Sequence, residues 1–544
     1  MKKSLTIFLI LILSLFLLTL IIFFSQRGVR TLSTDSYLYL DLSGPIPETY
    51  AGTSPFSKEL TLRDIYRVIQ KGKTDTRVRG LYLKISYPQI GWGKAEEIRR
   101  FSLSFKKTGK KVVAFIEYGG DLDYFLATSA DKIYTFPGSF IELNGIAGER
   151  LYYKEFFHRI GVKPQFFHIG KWKTAVNSYT EDKMTEEERT QIKRLGKGIM
   201  DFYISEIERT RGIKKGKILQ FMNEEGGGIG QEFLKTGLFD GVEDEGEVLK
   251  KEFKGLSPIR ARKYSEMGWR LTPNKIAVVS IEGTINIGPS GFFPFTGKIT
   301  GSDTIRNILA KVKKDNSIKA VVVRINSPGG SAIASEEIER AVKKLSIKKP
   351  VIVSMSSYAA SGGYYIAVDG AKILANNLTL TGSIGIIGGK LSLRGTLEKL
   401  GIKVDSVSFT KTALMDSPFK PYNEHEFSIL KKRMLAFYNL FLKRVAEGRN
   451  KSVDYIDSIG RGRVFLGLEA VKNGLIDRIG GLEDSINEAA KLAGLKFYSV
   501  EFYPKRKPFW KTFLQLFQAY DYSYIKAFLK EGVYFFIYPY YQFN

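Results

Sequence analysis

The feature that most constrains how this chain folds is its similarity to itself at an offset of 240 residues. Without gaps, GVKPQFFHIGKWKTAVNSY (161–179) lies on GIKVDSVSFTKTALMDSPF (401–419). Later the register slips by three, and 234–242 lie on 471–479. The offset of 240 also pairs residues outside these stretches: Ile85 with Ile325, Pro88 with Pro328, Tyr124 with Tyr364, Ala127 with Ala367, and Gly145 with Gly385. A fixed repeat spacing indicates tandem units, predicted here at 36–255 and 274–502.

Each copy has the pattern of an α/β domain. In the second copy, apolar runs rich in β-branched residues (KIAVVSIEGTI, KAVVVRINSPGG and PVIVSMSS) alternate with amphipathic stretches (TIRNILAKVKK and IASEEIERAVKKL). This alternation predicts buried parallel strands connected by helices. In such folds ligand chemistry gathers where strands end and helices begin.

The N-terminus predicts a membrane anchor. Residues 5–24 are apolar and uncharged after a four-residue tail at 1–4, and about 20 helical residues span the roughly 30 Å bilayer core. The alternative is a cleaved signal peptide, but a small-residue cleavage site is expected there, and SQRGVR follows instead. The flanking charges are balanced and leave orientation open. A tail this short suggests that it stays inside and that the bulk of the chain is exported.

Composition narrows the classes of function. The formal net charge of +27 favours anionic partners, either membrane lipid or nucleic acid. The basic residues are scattered and form no nucleic-acid motif, so we expect no nucleic-acid partner. The chain has no cysteine and three histidines, which argues against zinc sites and leaves few candidates for Ser-His catalysis. We expect no metal and no cofactor.

The C-terminal segment, 505–544, belongs to neither repeat. Residues 509–544 carry 15 aromatic side chains and include YFFIYPYYQFN. Two interpretations stay open at this point. The segment is either an arm for packing or subunit contact, or an interfacial membrane contact of the kind that Tyr and Trp favour.

A candidate nucleophile lies in SYAASGGYY (357–365). Ser361 falls between a predicted buried strand and a helix that begins at Gly362, where a hydroxyl lies near the positive end of the helix and glycines allow close substrate approach. Its alternative role is a helix N-cap. Two further stretches follow strands in the same way, NSPGGS (326–331) and TGSIG (381–385). The glycine N–H groups of NSPGGS are of the type that stabilises a tetrahedral oxyanion.

The first copy lacks these groups at the equivalent positions. The offset pairs Ser361 with Asp121, Gly329 with Gln89, Gly330 with Ile90, and Ser383 with Leu143. One copy therefore has the pattern of an active domain, and the other has the pattern of a scaffold.

Lys173 is the candidate base. A serine nucleophile needs one, and the offset places Lys173 opposite Ala413 while Lys171 lies opposite Lys411. The complementary loss suggests one composite site shared by the two copies. A lysine accepts a proton near neutral pH only where burial lowers its pKa from about 10.4; Ala175 and Val176, with Trp172, suit such a pocket. The alternative for Lys173 is a solvated surface charge.

Together, YAASGGYYIA, RINSPGGS, LTGSIGI and GKWKTAV resemble the signal peptide peptidase A serine proteases in their long, membrane-anchored, tandem-repeat form. The resemblance covers nearly the whole chain and implies two crotonase/ClpP-like domains with an N-terminal transmembrane helix. It implies that Ser361 is the nucleophile, that Lys173 is the general base, and that Gly330 and Gly362 donate the oxyanion N–H groups. Ser383 matches a serine that orients the lysine.

The resemblance also implies a biological setting. It implies a homotetramer in the bacterial inner membrane, with its catalytic domains on the periplasmic side, that degrades cleaved signal peptides and other apolar peptides. The aromatic segment from about residue 505 departs from the family pattern. Two other functions remain open: a crotonase-like acyl-CoA enzyme, which also uses two peptide N–H groups for an oxyanion, and a non-catalytic membrane scaffold.

Overall fold

A computed structural model describes residues 34–50, 59–268, 272–293, 297–505 and 534–536. None of the helices in these ranges is long and apolar enough to cross a membrane. The predicted tail and anchor, residues 1–24, lie outside the described residues, as does most of the aromatic C-terminal segment.

The first copy is built on a parallel six-stranded sheet with two short strands and one longer strand outside it. Its strands are β1 (Ser36–Pro45), β2 (Val78–Gln89), β3 (Lys111–Tyr118), β4 (Lys132–Thr135), β5 (Phe140–Glu142), β6 (Lys163–Ile169), β7 (Gly227–Ile229), β8 (Gly241–Val242) and β9 (Ser257–Arg260). The sheet has the order β8-β4-β3-β2-β1-β9, and all its pairings are parallel.

The second copy has the same sheet and additional strands. Its strands are β10 (Lys275–Glu282), β11 (Thr284–Asn286), β12 (Gly291–Phe293), β13 (Gly297–Gly301), β14 (Ile318–Ser327), β15 (Gly330–Ser331), β16 (Val351–Ala360), β17 (Lys372–Ala375), β18 (Leu380–Gly382), β19 (Ile386–Ser392), β20 (Val464–Leu466), β21 (Arg478–Ile479) and β22 (Ser499–Tyr503). A further strand, β23 (Tyr534–Phe536), lies in the C-terminal segment outside both copies. The single strand predicted for KIAVVSIEGTI is divided at Gly283, which has a φ of 83°.

The two sheets have the same topology. The path β21-β17-β16-β14-β10-β22 in the second copy, which is parallel throughout, repeats the order of the first. The predicted tandem α/β repeat is therefore confirmed; its boundaries at 36–255 and 274–502 stay predictions. The buried β-branched runs explain why these strands form, because Val and Ile pack well on a sheet that is covered on both faces.

The helices repeat as well. They are α1 (Leu62–Thr74), α2 (Trp92–Lys106), α3 (Asp121–Ala127), α4 (Lys154–Arg159), α5 (Asn177–Thr180), α6 (Glu186–Arg211), α7 (Lys217–Glu224), α8 (Glu245–Glu252), α9 (Ala261–Glu266), α10 (Ser302–Lys314), α11 (Ala332–Ser346), α12 (Gly362–Ala367), α13 (Arg394–Lys399), α14 (Glu424–Arg449), α15 (Val453–Ile459), α16 (Gly467–Ala470) and α17 (Leu482–Leu492), with a 3₁₀ turn at Gly230–Lys235. The equivalent helices α6 and α14 both have 26 residues. Each begins at a side-chain N-cap, Thr185 and Asn423, and each ends at a residue with positive φ, as capping chemistry predicts.

A third sheet joins the two copies, in the order β12-β13-β11-β15-β23-β19-β6. β6 of the first copy pairs antiparallel with β19 of the second over seven residue pairs, from Ile386 opposite Ile169 to Ser392 opposite Lys163. One hydrophobic core also spans both main sheets, since it contains Leu38 and Leu83 together with Val278 and Val322. The copies therefore form a single packed body.

Buried charges cross the same boundary. The Arg324 guanidinium of the second copy donates to Glu48, at 3.0 Å, and to Glu97, both from the first copy. Lys94 lies 3.1 Å from Glu48, and Ser356 donates to the same carboxylate. Although burial alone would raise the pKa of Glu48, the charges of Arg324 and Lys94 hold it at about 2.

Candidate active site

Ser361 occupies a strained turn between β16 and α12. Its φ of 56° and ψ of −116° fall where residues with a Cβ seldom lie, at a cost of about 1–3 kcal/mol. The Ser361 N–H donates to the Gly382 carbonyl at 2.8 Å, and the Ser361 carbonyl accepts from Tyr365 in the first turn of α12. The Ser361 side chain makes no N-cap hydrogen bond to α12, so the capping alternative is wrong.

The Lys173 amine meets the Ser361 hydroxyl. Lys173 Nζ lies 2.7 Å from Ser361 Oγ, 2.8 Å from the Ser383 carbonyl oxygen and 2.9 Å from Ser383 Oγ. Lys173, Ser361 and Ser383 are each 0% exposed. The surface-charge alternative for Lys173 is therefore wrong.

The surroundings favour a neutral amine. Burial lowers the pKa of Lys173 well below its ordinary value, because an ammonium that leaves water loses its hydration. The three oxygen atoms around Nζ belong to hydroxyls and a peptide group, which orient the amine without supplying a negative charge. Ala175 and Val176, two and three residues after Lys173, pack with Ile387 and Phe166 in a small apolar cluster.

The Trp172 ring contacts two cationic side chains. Its ring lies beneath the Arg463 guanidinium, 4.7 Å from the ring centre, and beside the ammonium of Lys171. Of the three apolar residues that the sequence suggested for the pocket, Ala175 and Val176 are the two that are buried.

Ser383 faces Lys173 because its own backbone turns sharply. Its φ is 54°, and its N–H donates to the Arg463 carbonyl at 2.7 Å. This turn separates β18 from β19 and directs both the hydroxyl and the carbonyl of Ser383 toward Nζ.

Gly330 and Gly362 lie next to each other beside Ser361. A Cβ built on Gly362 would lie 3.3 Å from the Gly330 nitrogen and 2.4 Å from Ser335 Oγ. A Cβ on Gly330, whose φ is 153°, would lie 2.0 Å from the Ile285 carbonyl oxygen. Both positions therefore require glycine. Gly362 opens α12, and the first N–H groups of a helix have no acceptor within that helix.

Residues 461–463 hold the lysine loop against the second copy, and the sequence analysis missed them. The Trp172 N–H donates to the Arg461 carbonyl at 2.8 Å, and the Gly462 N–H donates to the Ile384 carbonyl. A Cβ on Gly462, whose φ is 82°, would lie 2.4 Å from the backbone nitrogen of Lys173. The signal in the sequence was GRGR (460–463), two glycines alternating with arginines.

The equivalent position in the first copy holds a structural carboxylate. Asp121 opens α3 as Ser361 precedes α12, and it accepts the Gly145 N–H at 3.0 Å. Burial raises its pKa to about 6. The histidines have other surroundings: His158 and His425 are exposed, and His168 lies 3.0 Å from the Gly170 carbonyl. Within the described residues, no group of three or more acidic or histidine side chains has the geometry of a metal site.

The fold and this site define a class of protein: a tandem α/β repeat in which one copy presents a strained serine and the other presents a buried lysine to it. Known proteins are similar to both copies in sequence. A model described as Peptidase family S49 matches two stretches of the chain, 104–256 and 343–496.

Curated relatives match most of the chain. Protease 4 of Haemophilus influenzae is 32% identical over 518 residues, which cover 88% of this chain and 82% of that protein. The chloroplastic serine protease SPPA of Arabidopsis thaliana is 32% identical over 475 residues, with coverage of 85% and 69%. Among solved structures, a ClpP1 mutant from Listeria monocytogenes is 18% identical with a TM-score of 0.26, covering 38% of this chain and 94% of that one.

The chain belongs to peptidase family S49, among the SppA proteins. It is a serine peptidase.

Proposed function

We propose that this peptidase hydrolyses peptide bonds with a Ser361–Lys173 dyad. The observation that carries the proposal is the 2.7 Å contact between Lys173 Nζ and Ser361 Oγ, with both side chains fully buried. A neutral amine at that distance accepts the hydroxyl proton, which makes the oxygen nucleophilic.

The reaction proceeds in two halves. Ser361 Oγ bonds to the substrate carbonyl carbon while its proton moves to Lys173 Nζ, and the N–H groups of Gly330 and Gly362 stabilise the oxyanion. The C–N bond then breaks, and the ammonium returns the proton to the leaving amine. Lys173 next removes a proton from water, whose oxygen attacks the acyl carbon and releases Ser361 with its hydrogen restored. Ser383 holds Nζ in position throughout.

The substrates are extended apolar peptides, including cleaved signal peptides. The supporting features are the relatives named Protease 4 and SPPA and the apolar segment 5–24, which as a single-pass anchor would hold the site beside a bilayer. The proposed location is the bacterial inner membrane, with both copies on the periplasmic side and lipid as a contact.

The proposed assembly is a homotetramer closed by strand pairing between chains. Within one chain, 163–169 pair with 386–392. The repeat offset maps these segments onto 403–409 and 146–152, and neither has a strand partner within the described part of the chain. Phe409 is 96% exposed in the first of them. Pairing of 403–409 of one chain with 146–152 of the next would be head-to-tail, and head-to-tail contacts generate rings when the rotation closes.

The experiment compares turnover of an apolar fluorogenic peptide by the full chain in detergent. We expect Ser361→Ala and Lys173→Met to lower kcat by roughly 10⁴-fold or more, as for other paired nucleophiles and bases. Lys171→Met is the matched control, since Lys171 lies two residues away and is 59% exposed. Full turnover in either dyad variant would contradict the assignment. The scaffold alternative predicts that Lys173→Met causes no loss of turnover. The acyl-CoA alternative predicts that a fluorophosphonate leaves Ser361 unlabelled.

A further inference from the structure

The third sheet contains a gap that one strand of this chain fills. The order β12-β13-β11-β15-β23-β19-β6 separates into two blocks once β23 is removed. Gly330 and Ser331 lie opposite Phe536 and Phe535 on one side. Ile387 and Gly388 lie opposite Phe535 and Tyr534 on the other. β23 is antiparallel to both neighbours, so β15 and β19 run in the same direction and face each other across the width of one strand.

This gap borders the active site on both sides. Gly330, a predicted oxyanion donor, is the first residue of β15 and lies opposite Phe536. β19 begins at Ile386, three residues after Ser383, whose oxygens hold the Lys173 amine. An extended chain between the two edges therefore runs between the strand that carries the predicted oxyanion donor and the strand that follows Ser383. Ser361 is 0% exposed in this arrangement.

In recognition by strand addition, main-chain hydrogen bonds supply the affinity and side-chain pockets supply the specificity. A peptide substrate and residues 534–536 would therefore use the same N–H and C=O groups of β15 and β19, and they cannot do so together. We propose that residues 534–536 occupy the position of the substrate strand and act as an intramolecular competitive inhibitor of the peptidase. This inference rests on the proposed function.

The covalent connection makes such inhibition effective. A segment joined covalently to its site acts at an effective concentration of up to about a millimolar. A strand that binds with a dissociation constant of about 0.1 mM would then be bound some ten times more often than not, and the apparent KM would rise about tenfold. Lys505, at the end of the described second copy, is 29 residues before Tyr534, enough chain to span roughly 90 Å when extended.

The first test detects occupancy without catalysis, in full-length Ser361→Ala protein so that the chain stays intact. Phe535→Pro with Phe536→Pro removes two consecutive N–H groups, which point to opposite sides of a strand. Hydrogen exchange in peptides covering 330–331 and 386–388 should be at least about tenfold faster in this variant. Phe535→Leu with Phe536→Leu is the matched control, because it keeps both N–H groups and should exchange as the parent does.

The second test measures turnover with Ser361 restored. The proline variant should show a KM about tenfold lower than the leucine variant, with kcat unchanged. Equal exchange rates and equal KM values in the two variants would overturn the inference. Faster exchange without hydrolysis by any variant would support occupancy of the gap and refute the peptidase role, so the two proposals fail separately.

Discussion

Burial of the Lys173 amine lowers the stability of the fold. In the unfolded chain its pKa is about 10.4, whereas burial holds the pKa of Lys173 well below its ordinary value in the fold. Between those two pKa values the unfolded chain binds one more proton than the folded chain, so protonation favours unfolding. The amine is therefore retained at the expense of stability, as is expected of a group kept for its chemistry.

This linkage predicts how Lys173→Met behaves. The free energy of unfolding of the wild type, minus that of the variant, should increase by about 1.4 kcal/mol per pH unit as pH rises from the folded pKa of Lys173 to about 10. Urea unfolding at pH 7.5, 8.5 and 9.5 measures the gap. Lys171→Met, at an exposed lysine, should follow the wild type at all three values. A pH-independent gap for Lys173→Met would mean that the buried amine stays charged.

At the scale of elements, the site depends on loops from both copies closing on one another. Gly170 and Gly462 approach each other's backbones so closely that a Cβ on Gly170 would lie 2.5 Å from the Arg461 carbonyl carbon. Their positive φ angles, 112° and 82°, are conformations that glycine adopts readily. The loop at 461–463 thus fixes where Lys173 enters the second copy.

Gly462→Ala should therefore lower the catalytic rate, because it displaces Lys173. The new Cβ would lie 2.4 Å from the backbone nitrogen of Lys173, so the lysine would have to move. Shifts of about 1 Å in a catalytic group can cost about 100-fold in rate. We expect kcat for the fluorogenic peptide to fall by 10- to 100-fold. Gly494→Ala is the control, because Gly494 has a φ of 65° with nothing within 4 Å of its Cβ position. It should lose some thermal stability from the strained φ alone, with kcat retained; equal kcat in both variants would contradict the positional role.

Sequence reasoning located some of these elements and missed others for a physical reason. Ser361, Lys173 and Ser383 were found because each has a different residue at the equivalent position of the other copy. The offset of 240 pairs them with Asp121, Ala413 and Leu143. Residues 461–463 and 534–536 were missed because their contacts are made by backbone groups. Every residue carries these groups, so the residue types in the sequence do not indicate such contacts. The division of the predicted strand at Gly283 was missed because a positive φ is optional for glycine.

Across the whole molecule, buried charge joins the copies. Arg324 is 1% exposed between Glu48 and Glu97. Breaking a buried pair by removing one partner typically costs about 3–5 kcal/mol, because the remaining charge has no compensation. The composite site requires the copies to keep one relative position, and this cluster opposes their separation.

Arg324→Met should lower the free energy of unfolding by about 3–5 kcal/mol, measured by denaturant titration. Arg340→Met breaks a pair with Glu336 in which Arg340 is 64% exposed, and it should cost about 1 kcal/mol or less. Adding Glu97→Gln to Arg324→Met should recover part of the loss, because Glu97 is then no longer an uncompensated carboxylate, while Glu48 keeps Lys94 as its partner at 3.1 Å. A loss of under 1 kcal/mol in Arg324→Met would show that the cluster does not hold the copies together.

The repeat also predicts how chains assemble. The junction inside each chain brings Lys173 to Ser361, whereas the equivalent junction between chains would bring Ala413 to Asp121, so each chain contributes one site. Phe409, at the end of 403–409, is 96% exposed, and Phe409→Asp should place a charge in the proposed contact. Light scattering of the detergent-solubilised full chain should show a fall from four chains to one, while Phe497→Asp, at a phenylalanine 81% exposed elsewhere, should leave four. Because the dyad lies within one chain, the dissociated variant should keep its kcat, and a loss of turnover on dissociation would show that a neighbouring chain completes the site.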